Sequence, residues 1–439
     1  MIVDITPERL PQIKNQALAR YAAIYLEIYE DFMAQVAASG IEIAAEDDTV
    51  AADARRQALR RQGTRFRNTD RSIYVNAISP ACVACQKGIG SATYFLSLQC
   101  HRDCYYCFNP NQVDYDFYQT NRRSLVRELA QARADGRLDY IALTGGEPLV
   151  HAEETVRFFS ASERIFPEAH TRLYTTGDQL TPALLARLQE AGLEEIRFSI
   201  RMHDLARGQR HTYEQIALAR AYVSTVMVEM PVLPGTLTEM KAVLRELEAL
   251  QIHSINLLEF CYPLNNAAAF RKRGFQARRR PFRTLYNYWY AGGVPIAGSE
   301  LACLDLLAFA LEEDLSIGVH YCSLENKLTG QNYQQNYGRQ APGPVTFSEK
   351  DYLWKSAKVF GSDIPPVYNH FRNSGYDRFV RSRNPKYLAF HPEQIPNLRD
   401  MEIEIGLCTS TLEEREDGRY LRELKVELTT PQAFSLEAL

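Results

Sequence analysis

Tyr140-Ile141-Ala142-Leu143-Thr144-Gly145-Gly146-Glu147-Pro148 is a short apolar run that halts on two glycines, an acid and a proline. An apolar run of this length, bounded by turn residues, reads as a strand. Helical spacing precedes it at 122–134 and follows it at 152–165. The alternation extends in both directions. Strand-like runs lie at 92–98, 139–143, 172–175, 195–200, 223–228 and 254–259, with further helical segments at 181–191, 211–222 and 236–250. Thr181-Pro182 and Thr236 are helix caps. Strands that alternate with helices predict a parallel sheet, joined by right-handed crossovers.

One strand earlier, the first run feeds into Cys100-His101-Arg102-Asp103-Cys104-Tyr105-Tyr106-Cys107, three thiols spaced CxxxCxxC with an aromatic before the last. Thiolates are soft ligands that suit iron–sulfur clusters and zinc. A four-iron cluster takes four thiolates as a rule, so three in one tight loop leave one iron with an open position. A zinc knuckle with His101 as fourth ligand and a redox disulfide are the competing readings. Neither explains Gly145-Gly146-Glu147 after the next strand.

In this order the segments resemble the radical S-adenosylmethionine (SAM) superfamily over roughly residues 91–265. CxxxCxxC resembles its cluster loop and Gly145-Gly146-Glu147-Pro148 its "GGE" motif. Arg172-Leu173-Tyr174-Thr175-Thr176-Gly177 is similar to its "TNG" strand end, with Thr176 where Asn is common. Val226-Met227-Val228-Glu229-Met230-Pro231-Val232-Leu233-Pro234-Gly235 resembles the strand and turn that close over the adenosine. The resemblance implies a (βα)6-type partial TIM barrel. In such folds chemistry sits at the C-terminal strand ends, where the cysteines, Gly145-Gly146-Glu147 and Gly177 all fall.

The resemblance also implies roles. Cys100, Cys104 and Cys107 ligate three irons of a [4Fe-4S] cluster whose fourth iron chelates SAM. One electron then cleaves SAM to methionine and a 5′-deoxyadenosyl radical, which abstracts a hydrogen. Gly145 and Gly146, lacking Cβ atoms, let backbone approach SAM. Glu147 accepts a charge-assisted hydrogen bond from the SAM ammonium. Tyr106 lies against the adenine. Thr176, Ser199 and Arg201 hold the ribose and carboxylate; Ser199 and Arg201, two apart, share one strand face. For each, packing or turn formation is the plainer alternative.

The chain has 439 residues, 46% hydrophobic, enough for a sizeable core. No run of about eighteen apolar residues is present to span a bilayer, and the first residues lack the regions of a signal peptide, so a cytoplasmic location is the default. Nine cysteines, an odd count grouped as CxxC and CxxxCxxC, suit reduced thiols and metal rather than a disulfide framework. A net charge of −4 points to no nucleic acid.

Three regions are expected: a helical N-terminal extension (1–80), the barrel core (81–265), and a C-terminal α+β cap (266–439). In the extension, Thr6-Pro7 reads as a helix start, with apolar steps of three and four from Leu10 to Val36 and an end near Ser39-Gly40. The arginine-rich segment from Arg55 to Arg71 reads as a solvated helix face or a partner for acids, rather than a phosphate-binding run. In the cap, helices near 282–291 and 300–313, a strand at 315–322, irregular structure over 325–400, and a hairpin of 401–409 with 419–429 across Asp417-Gly418 are expected.

A second thiol pair, Cys82-Val83-Ala84-Cys85, precedes the first strand. CxxC alone fits zinc, a cluster or a redox pair. Cys82, Cys85 and Cys322 are expected to share a metal centre, an auxiliary [4Fe-4S] cluster with Cys303, Cys261 or substrate as fourth ligand, or else zinc using His320. Cys408 reads as core. The expected activity is hydrogen abstraction from a peptide or small-molecule substrate, with a flavodoxin- or ferredoxin-like electron donor. A glycyl-radical enzyme activase, suggested by Cys107-Phe108-Asn109-Pro110, is the alternative. A non-catalytic iron–sulfur or zinc protein is the contrasting class.

Overall fold

The computed structural model describes residues 1–202, 206–286 and 292–439. The strands predicted from the alternation are present and line up in one open sheet. In chain order these are β1 (Arg65–Arg67), β2 (Ser72–Val75), β3 (Ser91–Phe95), β4 (Tyr140–Thr144), β5 (His170–Thr175), β6 (Glu195–Phe198), β7 (Thr225–Val232), β8 (Ser254–Glu259) and β9 (Gly318–Cys322). Their order is β1-β2-β9-β8-β7-β6-β5-β4-β3. Strands β3 to β9 run parallel, and β2 and β1 continue the sheet antiparallel. The fold is α/β with mixed sheets; β1 and β3 are the two edges of this one, and among the described residues no closed barrel forms.

The helices are α1 (Thr49–Arg61), α2 (Pro80–Cys85), α3 (Leu125–Asp135), α4 (Ala152–Ile165), α5 (Pro182–Glu190), α6 (Ala206–Ala219), α7 (Leu237–Ala249) and α8 (Ser299–Glu312). Thr181 caps α5, its hydroxyl accepting from the Leu184 amide at 3.2 Å. Alternate strand residues Ile141, Leu143, Leu173, Ile196, Val226, Val228, Ile255 and Leu257 pack against Leu129, Phe158, Leu185, Ile216, Leu244 and Leu304 of the helices in one core. The period of two places the other alternates, among them Arg172, Tyr174, Glu195, Arg197, Glu229, Asn256, His320 and Cys322, on the opposite, polar face.

The chain divides into two compact units. One holds Ser39–Pro281 and 292–330, including the sheet above; the other holds Met1–Ala38, 282–286 and Gln331–Leu439. The cuts differ from those expected near 80 and 265. The ribbon β1–β2 hydrogen-bonds to β9 and so joins residues 65–75 to the sheet.

The second unit has an antiparallel sheet in the order Val3–Asp4, Gly418–Thr429, Ile405–Arg415, Trp354–Phe360, Lys386–Phe390, Phe379–Arg383. The expected hairpin is there and is longer, since pairing runs on to Arg415 opposite Gly418. The expectation of irregular structure over 325–400 is corrected: helices Leu324–Asn336 and Ile364–Ser374 and four strands occupy it. Apolar residues there are interleaved with Asn, Gln and Pro, which masks their period. The N-terminal helix is Gln16–Ala38, not a helix from Thr6. Pro11 lacks the N–H a helix interior needs, and Asn15 Oδ1 caps Ala17 and Leu18 instead, at 3.0 and 3.1 Å. Of the helix expected near 282–291, residues 287–291 lie outside the described residues.

Candidate functional site

The cysteine loop leaves β3 and is free of regular structure until Asn109. Three sets of contacts fix it. The first joins it to the glycine pair after β4. Gly146 N–H donates to Ser97 O at 3.2 Å, and Glu147 N–H to Gln99 O at 2.8 Å. A Cβ on Gly146 would stand 1.9 Å from Gln99 O, and Gly145 has φ +121°. The pair therefore lets two backbones touch directly beneath Cys100. Asn109 Nδ2 closes the other side, donating to Gly145 O at 2.6 Å.

The second set is centred on Asp178, just past β5. Arg102 donates Nε and Nη2 to its two oxygens, each at 2.6 Å. His101 Nε2 lies 2.5 Å from Oδ2, and Thr176 Oγ1 donates at 3.1 Å. Burial opposes this charge, but the bonds from Arg102 and His101 outweigh it and hold the carboxyl down at about 2. Third, Asn266 Nδ2 donates to Tyr105 O at 3.1 Å. Tyr105 and Tyr106 sit edge-on at 4.9 Å, with Phe260 5.6 Å from Tyr106 and the Arg273 guanidinium 3.9 Å over Tyr105.

Glu147 is buried and satisfied. Its carboxylate accepts from Leu149 N (3.1 Å), Thr175 Oγ1 (2.7 Å) and Thr176 N (2.7 Å), tying the end of β4 to the end of β5. Past β6, Ser199 is exposed and its hydroxyl donates to Glu229 O at 3.3 Å. Arg201 is buried and brings Nη1 to 3.7 Å from Cys104 Sγ. Thus Gly145, Gly146, Glu147, Thr176, Ser199 and Arg201 follow three neighbouring strand ends, β4, β5 and β6, and Tyr106 lies in the cysteine loop itself. Arg102, Asp178, Asn109 and Asn266 are further members that sequence reading missed. Nothing in the sequence pairs Arg102 with Asp178, although an acid three residues past a strand end at a Gly177 turn was a usable signal.

All nine cysteines are free, and Cys100, Cys104 and Cys107 have accessible surface. Burial pushes the Cys107 thiol up to about 11 and raises that of Cys100. Such thiols ionise near neutrality when a metal takes the place of the proton. Among the described residues no three His, Cys, Asp or Glu side chains converge on a single ion. Three thiols in one loop, partly exposed and flanked by a guanidinium, are a donor set that fits a cluster of several irons.

His320 does not fit the zinc reading. Its Nδ1 is 2.8 Å from Asn256 Oδ1 and its Nε2 2.8 Å from Ser72 Oγ, so both ring nitrogens are engaged. Burial, then Arg197, hold it down at about 3. Cys408 is buried among Phe360 and Val426, as core. The arginine-rich segment meets acids: Arg55 with Asp305, Arg56 with Asp53 and Glu300, Arg60 with Asp70, Arg71 with Glu325. No described helix is long and apolar enough to cross a membrane.

A family model described as the radical SAM superfamily matches residues 94–247. A relative from Methanocaldococcus jannaschii, described as a putative glycyl-radical enzyme activating enzyme, is 30% identical over 298 residues, 64% of this chain and 74% of the relative. Among solved structures, Streptococcus suis SuiB bound to precursor peptide SuiA matches with TM-score 0.37 and 12% identity, over 57% of this chain and about half (52%) of that one. Coproporphyrinogen III oxidase from Escherichia coli matches with TM-score 0.35 and 14% identity, over 54% and 57%.

Proposed function

The chain belongs to the radical SAM superfamily, whose enzymes use a [4Fe-4S] cluster and SAM, and from that premise we propose that it abstracts a hydrogen atom from a peptide segment or small molecule. The open sheet is read as a partial barrel with the polar face inward, and the loop of Cys100, Cys104 and Cys107 as the cluster site. The chemistry supplied there is one-electron cleavage of SAM to methionine and a 5′-deoxyadenosyl radical, which takes the hydrogen.

This chain's residues supply position and dryness. Gly145 and Gly146 set the distance between the β4 end and the cysteine loop. Glu147, held by three donors, keeps one further acceptor direction for the SAM ammonium. Arg201 places positive charge beside Cys104 and a carboxylate. Thr176 and Ser199 offer hydroxyls to the ribose, and Tyr106 an aromatic wall to the adenine. Excluding water matters because a primary carbon radical takes any hydrogen within reach. A flavodoxin- or ferredoxin-like protein is the proposed electron donor.

The single supporting observation is the junction at Gly146. The Gly-Gly-Glu backbone and the cysteine loop are hydrogen-bonded as one piece, with no space between them for a side chain. Anaerobic incubation with SAM and dithionite tests the reading. We expect 5′-deoxyadenosine well above a Cys104→Ala control; equal amounts would overturn it. A narrower reading, activation of a glycyl-radical enzyme, is favoured by the description of the Methanocaldococcus relative. It requires a glycyl-radical EPR doublet in a co-incubated partner.

A further inference from the structure

A second group of thiols stands on the polar face of the sheet, apart from the cysteine loop. Cys82 lies in α2, and its sulfur receives two N–H donors: Asn256 Nδ2 at 3.2 Å and Arg197 Nη2 at 3.5 Å. Cys322 ends β9, and its sulfur receives Asn326 Nδ2 at 3.3 Å. These elements are adjacent. Asn256 is the register partner of His320, two residues before Cys322 on the same face. The carbonyl of Cys85, at the end of α2, is 2.9 Å from where a Cβ on Gly330 would stand, in the helix that follows Cys322. The strand face, α2 and the helix from Leu324 thus put the three thiols on adjoining elements.

A neutral thiol is a weak acceptor. N–H donors aimed at sulfur, one from a guanidinium, instead suit sulfur that carries negative charge. Cys85 keeps accessible surface. Several thiolates plus cationic compensation and N–H donors to sulfur is the setting of an iron–sulfur cluster. Zinc would need ligands round a single ion, and His320 is engaged elsewhere.

We propose that Cys82, Cys85 and Cys322 hold a second iron–sulfur cluster of the four-iron type on the polar face of the sheet. Each thiol releases its proton on ligation. Cys303 and Cys261 are not assigned as ligands: both are buried, whereas Cys82, Cys85 and Cys322 keep accessible surface. The fourth iron is left to a ligand other than cysteine.

The test reads metal, not turnover, on full-length protein reconstituted anaerobically with ferrous iron and sulfide. Wild type is expected to hold about eight irons and about eight sulfides per chain. The Cys100→Ser/Cys104→Ser/Cys107→Ser variant should keep about four of the irons, and adding Cys82→Ser and Cys322→Ser should remove those as well. Cys82→Ser/Cys85→Ser alone should fall to about four irons. A wild-type count that stops at about four and is unchanged by Cys82→Ser, or zinc in place of iron, would overturn the proposal. Circular dichroism on every variant separates lost ligands from lost fold. A result of about eight irons with no 5′-deoxyadenosine leaves this inference standing and removes the functional one.

Discussion

Gly146 has no room for a methyl group, because the carbonyl of Gln99 occupies that space. Gly146→Ala must push the cysteine loop away from the end of β4. Overpacking of this kind costs about 1–3 kcal/mol, and a lower unfolding temperature together with incomplete iron loading is the expected result. Asp178 acts on the same loop from the other side. Asp178→Asn takes away the charge that holds Arg102 and His101 and gives back an NH2 that cannot accept from them. The variant should unfold within a few degrees of wild type yet surrender its loop iron faster to a chelator. Unchanged iron release would show that Arg102 and Asp178 do not restrain the loop. Cys100, Cys104, Cys107 and Gly145-Gly146-Glu147 were legible because their chemistry is written in residue type and spacing. Asp178 was not, because its partner lies 76 residues away and only folding brings them together.

Strands were the most legible elements. The seven parallel ones fall within a few residues of their expected places, since each is an apolar run closed by turn residues. What the sequence hid is the polar alternate on each strand. Glu195 on β6 is the clearest case: it is fully buried and bonded to Ser79, His170 and Arg197. Burial opposes its charge, but His170 and Arg197 prevail and bring the carboxyl down to about 2. A depressed folded-state value means that its contribution is present in full above the unfolded value, about 4.3, and fades as pH falls toward 2. Glu195→Gln should therefore destabilise the chain by about 3 kcal/mol at pH 7. In denaturant titrations the gap to wild type should narrow steadily below about pH 4. A gap independent of pH would mean that shape rather than charge is lost. The irregular structure expected over 325–400 failed for a related reason, since strands rich in polar residues are decided by long-range pairing; the helix expected from Thr6 failed locally, at Pro11 and the Asn15 cap.

On the scale of the whole molecule, the two ends of the chain build one unit. Val3–Asp4 pairs with Leu428 and Glu427. The helix Gln16–Ala38 packs Leu18 and Ala22 on Phe360, Cys408 and Val426. Tyr21 and Tyr25 donate to Glu423 at 2.8 and 2.6 Å, and Lys358 meets the same carboxylate at 2.6 Å. A chain lacking residues 1–38 should bind a hydrophobic dye and self-associate, because that apolar sheet face is left bare. A monodisperse, dye-negative truncation would show the helix to be dispensable.

The interleaving also has a consequence for biosynthesis. The helix Gln16–Ala38 leaves the ribosome well ahead of the strands it covers, Ile405–Arg415 and Gly418–Thr429. At about 5–20 residues per second the nascent helix waits tens of seconds with its apolar side unprotected. The sheet that carries the cysteine loop emerges during that interval and can mature first. Chaperone occupancy is therefore expected early on the nascent chain, at the segment farthest in sequence from its eventual neighbours.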